Sequence, residues 1–182
     1  MSIITLKNVR LSFPQIWSAK AFNEGQTPKF SANFLLDKEG NIDQIDAIKK
    51  AIKQAATVHF NGEIPKGLQT FLNDGEEKAY DGYDGAMYVS TSGKNRPTII
   101  DRDRTPLVEE DGKPYAGCYV NAAISIWIMD NRYGKKINAN LVGIQFVKDG
   151  PSFGSAAVAA ETIFDDISSE QAADAADDDF LS

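Results

Sequence analysis

The sequence predicts a mainly β domain: a small barrel of five to six antiparallel strands with one amphipathic helix and a disordered acidic C-terminal tail. Most segments that can form structure alternate apolar and polar residues with a period of two, whereas one segment has the helical period. The strands follow one another without the β–α–β alternation that a parallel sheet requires. With 182 residues, of which 42% are hydrophobic, the chain is long enough for one domain with a core.

Two strands are predicted before the helix. In IITLKNVRLSF the apolar residues change parity at Lys7–Asn8, which indicates a β-bulge, and Pro14 is expected to end the strand. KFSANFLL alternates more regularly, and the turn KEGN follows it. Its predicted inward side chains are Phe30, Ala32, Phe34 and Leu36.

One helix is predicted, in NIDQIDAIKKAIKQAA. Asn41 and Gln44 have the spacing of a capping box, with Asn in place of the usual Ser or Thr. The apolar residues form a single helical stripe, which should face the core. Its members are Ile42, Ile45, Ile48, Ile52 and Ala55.

The second half of the chain is predicted to be strands. Residues 57–82 have no clear period, although a short helix is expected around LQTFLND. GAMYVSTSG should place Met87, Val89 and Thr91 on one face, and RPTIID should form a further strand. CYVNAAISIWIMD and INANLVGIQFVKDG, joined by NRYGKK, predict a hairpin. This order of elements favours an OB-fold, which is a small five-stranded barrel.

The negative charge is concentrated at the C-terminus. The formal charge is −7. Seven acidic residues and no Lys or Arg lie within residues 165–182, so 19 acidic and 19 basic residues remain in residues 1–164. A neutral body is compatible with a polyanionic partner. We expect a domain over residues 1–154 and a flexible acidic tail over residues 155–182.

The residue types for common catalytic and metal sites are scarce. His59 is the only histidine and Cys118 the only cysteine, so no His/Cys zinc site can form, and burial is expected for Cys118. The glycine-rich and nucleophile motifs of nucleotide-binding proteins and hydrolases are absent. Asp101 and Asp103 alternate with arginines, which favours local ion pairing over metal binding. We predict neither an enzyme nor a cofactor.

Aromatic residues interleaved with bases carry the functional prediction. In CYVNAAISIWIMD one face is aliphatic, whereas the other presents Tyr119, Asn121, Ser125 and Trp127. Rings that stack on bases and cations that contact phosphates are what single-stranded nucleic acid requires, although the same rings could pack under a loop. The candidate DNA-binding residues are Tyr88, Lys94, Arg96, Arg102, Arg104, Tyr119, Trp127, Tyr133, Lys135 and Lys136.

The segments GAMYVSTSGKNRPTIID, GCYVNAAISIWIMDN and INANLVGIQFVKDGPSFG resemble a bacteriophage family of single-stranded-DNA-binding proteins, long catalogued as a domain of unknown function. The resemblance covers residues 3–154. It implies an OB-fold, a flexible acidic C-terminus, and a role in coating single strands during phage DNA replication and recombination.

The end of the chain, DDDFLS, is similar to the acidic tips with which single-strand binders recruit replication proteins. It differs in having its aromatic residue third from the end. The residues expected to bind such partners are Asp177, Asp178, Asp179, Phe180 and Leu181.

Two rival functions stay open, namely an acidic DNA mimic or protein-interaction module, and a divalent-metal nuclease that uses Asp101 and Asp103. The sequence leaves the oligomeric state open, a homo-oligomer included. One cysteine, no membrane-length apolar run and no signal peptide predict a cytoplasmic protein, which the resemblance places in the bacterial host.

Overall fold

The computed structural model describes residues 3–21 and 23–153. Two compact units divide the chain, Met1–Ser152 and Phe153–Ser182, and the strands and the helix of the described residues belong to the first. The acidic tail and its predicted partner-binding residues lie outside the described residues. The strands are β1 (Ile3–Lys20), β2 (Lys29–Asp37), β3 (Leu72–Asp74), β4 (Ala86–Gly93), β5 (Thr98–Ile100), β6 (Tyr119–Asn131) and β7 (Gly134–Lys148), and the helix is α1 (Ile42–His59).

Five of the strands close into a barrel. The sheet order is β3-β4-β2-β1-β6-β7-β5, and a further pairing of β4 with β7 joins the sheet into a ring. The barrel strands pair antiparallel except at this closure, where Thr91 and Ser92 run parallel to Ala139 and Asn140. β3 and β5 are additions to β4 and β7. This is the mainly β, OB-like barrel that the sequence predicts.

The inward faces of the barrel strands form the core. Ala32, Phe34 and Leu36 of β2 are buried as predicted, and Val89 and Thr91 of β4 face the same interior. The long hairpin β6–β7 is also confirmed, with thirteen paired positions from Tyr119–Lys148 to Asn131–Gly134. The remaining core positions come mainly from β1, β6, β7 and α1.

β1 bends twice instead of once. The predicted bulge at Lys7–Asn8 is confirmed, because the register with β6 shifts between Leu6 and Val9 and Asn8 has a φ of 53°. The prediction that Pro14 ends the strand is wrong. β1 continues to Lys20 through a second irregularity between Ser12 and Gln15, which places Pro14 where a proline in a strand is tolerated.

α1 is confirmed, but its predicted capping box is wrong. The Asn41 side chain accepts from the Asp37 amide (2.8 Å) and makes no bond to the helix. Gln44 instead pairs with the Lys7 backbone, accepting from its amide (2.7 Å) and donating to its carbonyl (2.8 Å). The first bulge of β1 is thereby tied to the helix. Among the described residues no helix is long and apolar enough to cross a membrane.

The buried stripe of α1 begins one turn later than predicted, at Ile45, and ends at Ala56 instead of Ala55. Ile45, Ile48 and Ala56 are buried, and Ile52 is packed against the core. Ile42, at the first helical position, is 46% exposed, contrary to the prediction.

The helix predicted around LQTFLND does not form. Leu72–Asp74 is strand β3, which pairs with β4, and Gln69 bridges to Lys136 of β7. The segment therefore lies against the β4–β7 closure, where its backbone groups find partners in neighbouring strands. This pairing requires an extended backbone, which overrides the local apolar spacing.

Candidate nucleic-acid interface

A groove of about 600 Å³ runs over the outer faces of β2 and β4. β2 and β4 are the second and third strands of the barrel. OB-folds bind oligonucleotides on the face that these two strands form. One wall is aromatic, the floor carries hydroxyl and amide groups, and lysines stand at the margins. The lining residues are Phe13, Gln15, Lys20, Ser31, Asn33, Phe71, Lys78, Tyr80, Tyr83, Tyr88, Ser90, Thr91, Ser92, Lys136, Asn138 and Ala139.

The aromatic wall consists of four rings in contact, of which Phe13–Tyr80 and Tyr80–Tyr83 pack edge to face and Tyr83–Tyr88 is tilted. Phe13 and Tyr80 lie 4.9 Å apart at 72°, and Tyr83 lies 5.4 Å from Tyr80 and 5.2 Å from Tyr88. Phe13 is 42% exposed and Tyr80 50% exposed, whereas Tyr83 and Tyr88 are buried behind them. Two open rings are thus supported by two buried rings, an arrangement that leaves aromatic surface free for a flat ligand.

The second bend of β1 presents Phe13 to the groove. Leu11 and Ser12 are both buried, and Phe13, with a φ of 46°, points outward. Strict alternation after the first bulge predicts Phe13 on the inward face with Val9 and Leu11, and this prediction is wrong because the second bend turns the ring outward. A non-glycine residue in the left-handed region costs free energy, so surrounding structure must hold it, and such residues concentrate at functional sites.

Tyr83 is locked in place by its hydroxyl group. Its oxygen lies 2.9 Å from Ser12 Oγ and accepts from Asn33 Nδ2 at 3.0 Å. Because Ser12 belongs to β1 and Asn33 to β2, the ring is fixed to two strands of the barrel.

The loop that carries Tyr80 and Tyr83 is anchored at its start. A Cβ at Gly75 would lie 2.3 Å from the Tyr83 carbonyl oxygen, so no larger residue fits there. Lys38 pairs with Asp74 (2.9 Å) and Glu76 (3.1 Å), which ties the loop to the turn after β2. The Glu76 amide and the Lys38 ammonium group hold the pKa of Asp74 below its usual value.

The floor of the groove is uncharged. Ser31 pairs with Ser92, and Asn33 with Ser90, across the β2–β4 ladder. These residues alternate with the buried positions of the same strands, so their side chains point outward.

Three lysines lie at the edges of this floor, each on a different element of the fold. Lys20 ends β1, Lys78 lies on the loop after β3, and Lys136 lies near the start of β7. None of them forms an ion pair within residues 3–21 and 23–153. Their charges are therefore available to an anionic ligand.

Several predicted DNA-binding residues lie in or beside the groove. Tyr88 lines the groove but is only 8% exposed. Its pKa is raised, chiefly by burial and secondarily by the neighbouring Tyr83. Trp127 is 44% exposed and pairs with the groove residue Asn138, so it continues this surface onto β6. Lys136 lines the groove directly.

The tip of the β6–β7 hairpin lies next along the chain. Tyr133 is 78% exposed, with the Arg132 guanidinium 4.9 Å from its ring centroid. Lys135 lies over the ring of Phe60, with its Nζ 5.5 Å from the centroid. In the OB-fold this connection is one of the two loops that contribute to oligonucleotide binding.

The other predicted basic residues lie on two turns. Lys94 and Arg96 are exposed on the turn after β4. Arg96 donates a hydrogen bond to the Trp17 carbonyl (2.7 Å). Trp17 lies on β1 between Gln15 and Lys20, which both line the groove. Arg102 and Arg104 follow β5, which pairs with β7 at Gly143–Gln145 and not with the groove strands. The structure therefore does not bring these two arginines to the groove lining.

Tyr119 lies at the far end of the β6–β7 ribbon. It pairs with Lys148, twelve residues along β7 from Lys136, which is about 40 Å of strand. Lys148 Nζ is 4.8 Å and Arg10 Cζ 6.0 Å from its ring centroid. Base stacking by Tyr119 stays a prediction, and its ring already contacts two cations of the chain.

Sequence reasoning missed three of the four rings of the aromatic wall and two of the lysines. Tyr80 and Tyr83 belong to EEKAYDGYDG, a glycine-bounded loop in a region with no readable period. Two tyrosines in an acidic turn were the available signal. Phe13 was hidden by its apparent strand parity. Lys20 lies two residues before Phe22 and Lys78 two residues before Tyr80, which was a further signal.

The acidic residues and the histidine considered for catalytic or metal sites have local partners. Asp101 pairs with Lys113 (3.1 Å) and accepts from the Arg102 amide, and the Thr105 amide donates to Asp103. In the described part of the chain no three His, Cys, Asp or Glu side chains cluster in a way that could hold a metal ion. His59 Nε2 lies 2.9 Å from Asp130 Oδ2. Cys118 is buried as predicted, and burial raises the pKa of its thiol to about 11.

Comparison with known proteins identifies relatives in bacteriophages. A family model described as "Enterobacter phage Enc34, ssDNA-binding protein" matches residues 1–181. "Putative protein p50" of Acyrthosiphon pisum secondary endosymbiont phage 1 is 41% identical over 174 residues, which cover 91% of this chain and 94% of that protein.

Solved structures show the same relationship. The single-stranded DNA-binding protein from bacteriophage Enc34, in complex with ssDNA, has a TM-score of 0.77 and 28% identity, with coverage of 84% of this chain and 89% of that one. The single-stranded DNA-binding protein encoded by bacteriophage T7 has a TM-score of 0.56 at 12% identity, covering 87% of this chain and 98% of that one, which is a likeness of fold alone.

Proposed function

The chain belongs to the family of the Enterobacter phage Enc34 ssDNA-binding protein, and we propose that it binds single-stranded DNA in the groove over β2 and β4. The groove itself carries this proposal, because it combines exposed rings with lysines that have no acidic partner in the described residues. Stacking on aromatic side chains and contact of phosphates with cations are the two components of sequence-tolerant single-strand binding.

The strand would lie with its bases against Phe13 and Tyr80. In a duplex the faces of the bases are already stacked on one another, so the rings of the groove would be offered no free face. Single strands are therefore the preferred ligand. Lys20, Lys78 and Lys136 would contact the phosphates.

The path of the strand would continue beyond the groove. Trp127 extends the surface on one side, and Tyr133 and Lys135 lie at the hairpin tip beyond it. Lys94 and Arg96 follow the end of β4 on the other side. Arg102, Arg104 and Tyr119 are left outside this path.

In the phage-infected cell the protein would coat and protect single strands during replication and recombination, in the host cytoplasm and without enzymatic activity. Residues 1–154 would be the DNA-binding domain. The tail, residues 155–182, would recruit replication proteins through Asp177–Asp179, Phe180 and Leu181. Phe180→Ala should reduce recovery of replication proteins from infected cells in a pull-down and leave DNA affinity unchanged. Unchanged recovery of every such protein would contradict the role of the tail.

Replacing the groove lysines tests the binding proposal. The variant Lys20→Gln/Lys78→Gln/Lys136→Gln should bind a labelled single strand more weakly, with a slope of log affinity against log salt that is shallower by about 2, since each phosphate contact contributes about 0.7. The matched control is Lys49→Gln/Lys50→Gln/Lys53→Gln, which removes the same charge from exposed positions on α1.

Equal slopes in the two triple variants would overturn the groove assignment. Equal affinity of the wild-type protein for duplex and single strand would overturn the proposed function. Titration with and without magnesium on a gel also separates the rivals, because a nuclease would cleave the strand and a DNA mimic would not bind it.

A further inference from the structure

The floor of the groove contains three serine side chains that have no hydrogen-bond partner within residues 3–21 and 23–153. Ser90 and Ser92 lie two residues apart on β4, and Ser31 lies opposite Ser92 on β2. All three line the groove and are partly exposed. Their hydroxyl groups make no hydrogen bond to any residue of the described ranges, whereas the nearby Asn33 amide and the buried Ser12 are used to hold Tyr83.

The charges around this floor indicate which part of a nucleotide would reach it. The lysines of the lining belong to the end of β1, to the loop after β3 and to β7, and none belongs to the floor positions of β2 and β4. Phosphates would therefore stay at the margins. Bases that stack on Phe13 and Tyr80 would turn their edges towards the serines.

A hydroxyl group rotates, so it can donate a hydrogen bond or accept one. Base edges differ in this respect: cytosine and adenine present an amino donor where thymine and guanine present a carbonyl acceptor. A carboxylate accepts only, and a side-chain amide presents its donor and acceptor in fixed places. Serine is the small side chain that serves all four bases at one position.

We propose that Ser31, Ser90 and Ser92 contact base edges through rotating hydroxyl groups, and that these residues set the sequence tolerance of the site. This inference rests on the proposed function and adds to it the residues that decide specificity. Ser90 is the central one, because it lies opposite Asn33 and between Tyr88 and Ser92 along β4.

Replacing Ser90 by a side chain that can only accept hydrogen bonds should create a base preference. We expect Ser90→Asp to shift the ratio of affinities for oligo-dC over oligo-dT by about tenfold towards dC, because a carboxylate can accept from the cytosine amino group and is repelled by the thymine carbonyl. The added charge weakens binding to both oligonucleotides alike and cancels in the ratio. The control is Ser18→Asp, the same change at an exposed β1 residue that is not in the groove lining.

The measurement is fluorescence anisotropy of full-length proteins with labelled dC and dT oligonucleotides at one salt concentration, after thermal melting has verified folding. Ser31→Ala, Ser90→Ala and Ser92→Ala give a second test that introduces no charge. Each should weaken binding to dC and dT by similar factors of a few fold, because a hydrogen bond is lost to both.

An unchanged dC/dT ratio in a folded Ser90→Asp variant that still binds would overturn the inference. So would three alanine variants with wild-type affinity. Both of these outcomes leave the proposed function intact, whereas absence of single-strand binding by the wild-type protein would overturn the function itself.

Discussion

The groove over β2 and β4 and the far end of the β6–β7 ribbon contain the same types of residue in different relationships. In the groove, Phe13 and Tyr80 are supported by other rings and the lysines stand apart from them. At the far end, Lys148 and Arg10 lie near the ring of Tyr119 itself. At the far end the cations are therefore engaged with the ring, whereas in the groove the rings and the lysines are both open to a ligand.

The two regions also differ in how they are anchored. Tyr83 joins β1 and β2 through its hydroxyl group, so the groove wall is part of the barrel. Tyr119 packs beside Gly150, where a Cβ would lie 2.9 Å from its ring. We expect mutations in the first region to affect binding, and those in the second to affect local stability.

The largest effect is expected at Tyr83, because this residue both supports the exposed rings and anchors the wall to the barrel. Tyr83→Ala should lower the free energy of unfolding by about 3–5 kcal/mol, as for other buried aromatics, and should weaken DNA binding because Phe13 and Tyr80 lose their support. Tyr83→Phe keeps the ring and should cost about 1–3 kcal/mol, since it removes the partner of the buried Ser12. Urea denaturation measures both, and near-wild-type stability of the alanine variant would contradict the anchoring role.

Tyr80→Ala should separate binding from stability. Loss of one stacking ring should weaken single-strand binding by about 1–3 kcal/mol, or about 5- to 150-fold. The melting temperature should change little, because half of this side chain is exposed. Anisotropy titration and a thermal melt give the two values. A large fall in melting temperature with unchanged affinity would make Tyr80 a structural residue.

Trp127 tests whether the DNA path leaves the groove towards the hairpin. Single-stranded DNA should quench the intrinsic fluorescence of the wild-type protein, and Trp127→Phe should remove most of that quenching, because Trp127 is exposed beside Asn138. Trp17→Phe is the matched control, since Trp17 and Trp127 are the two tryptophans of the chain and Trp17 is partly buried. Quenching that is lost in the control variant instead would mean that the strand leaves the groove past Arg96 and not past Trp127.

The smallest effect on binding is expected at Tyr119. Tyr119→Ala should change DNA affinity by less than about twofold and lower stability by about 1–2 kcal/mol, since two cation–π contacts are lost. It should also speed thiol labelling of the adjacent Cys118 at pH 8. Burial raises the pKa of that thiol to about 11, so labelling requires local opening. A fall in affinity as large as that of Tyr80→Ala would return Tyr119 to the DNA site.

Local pattern was sufficient for the elements that alternate strictly. β2, β4, the β6–β7 hairpin, the helix predicted over residues 41–56, the bulge at Lys7–Asn8 and the barrel class follow from periodicity. A sheet with one buried face needs an apolar side chain at every second position, and a helix with one buried face needs one at every third or fourth. The same pattern placed Tyr88, Ser90 and Trp127 on outer faces. Composition alone located the acidic segment at residues 165–182.

Tertiary contacts decided the rest. Gln44 bonds to the bulge of β1 instead of capping its own helix, residues 68–74 are extended against the barrel closure, and β1 turns Phe13 outward through a left-handed residue. Each of these depends on a partner distant in sequence. The aromatic wall has the same origin. The pairing of β1 with β2 and of β2 with β4 brings Phe13 near Tyr88, and the loop before β4 adds Tyr80. No local period records which strands will be neighbours.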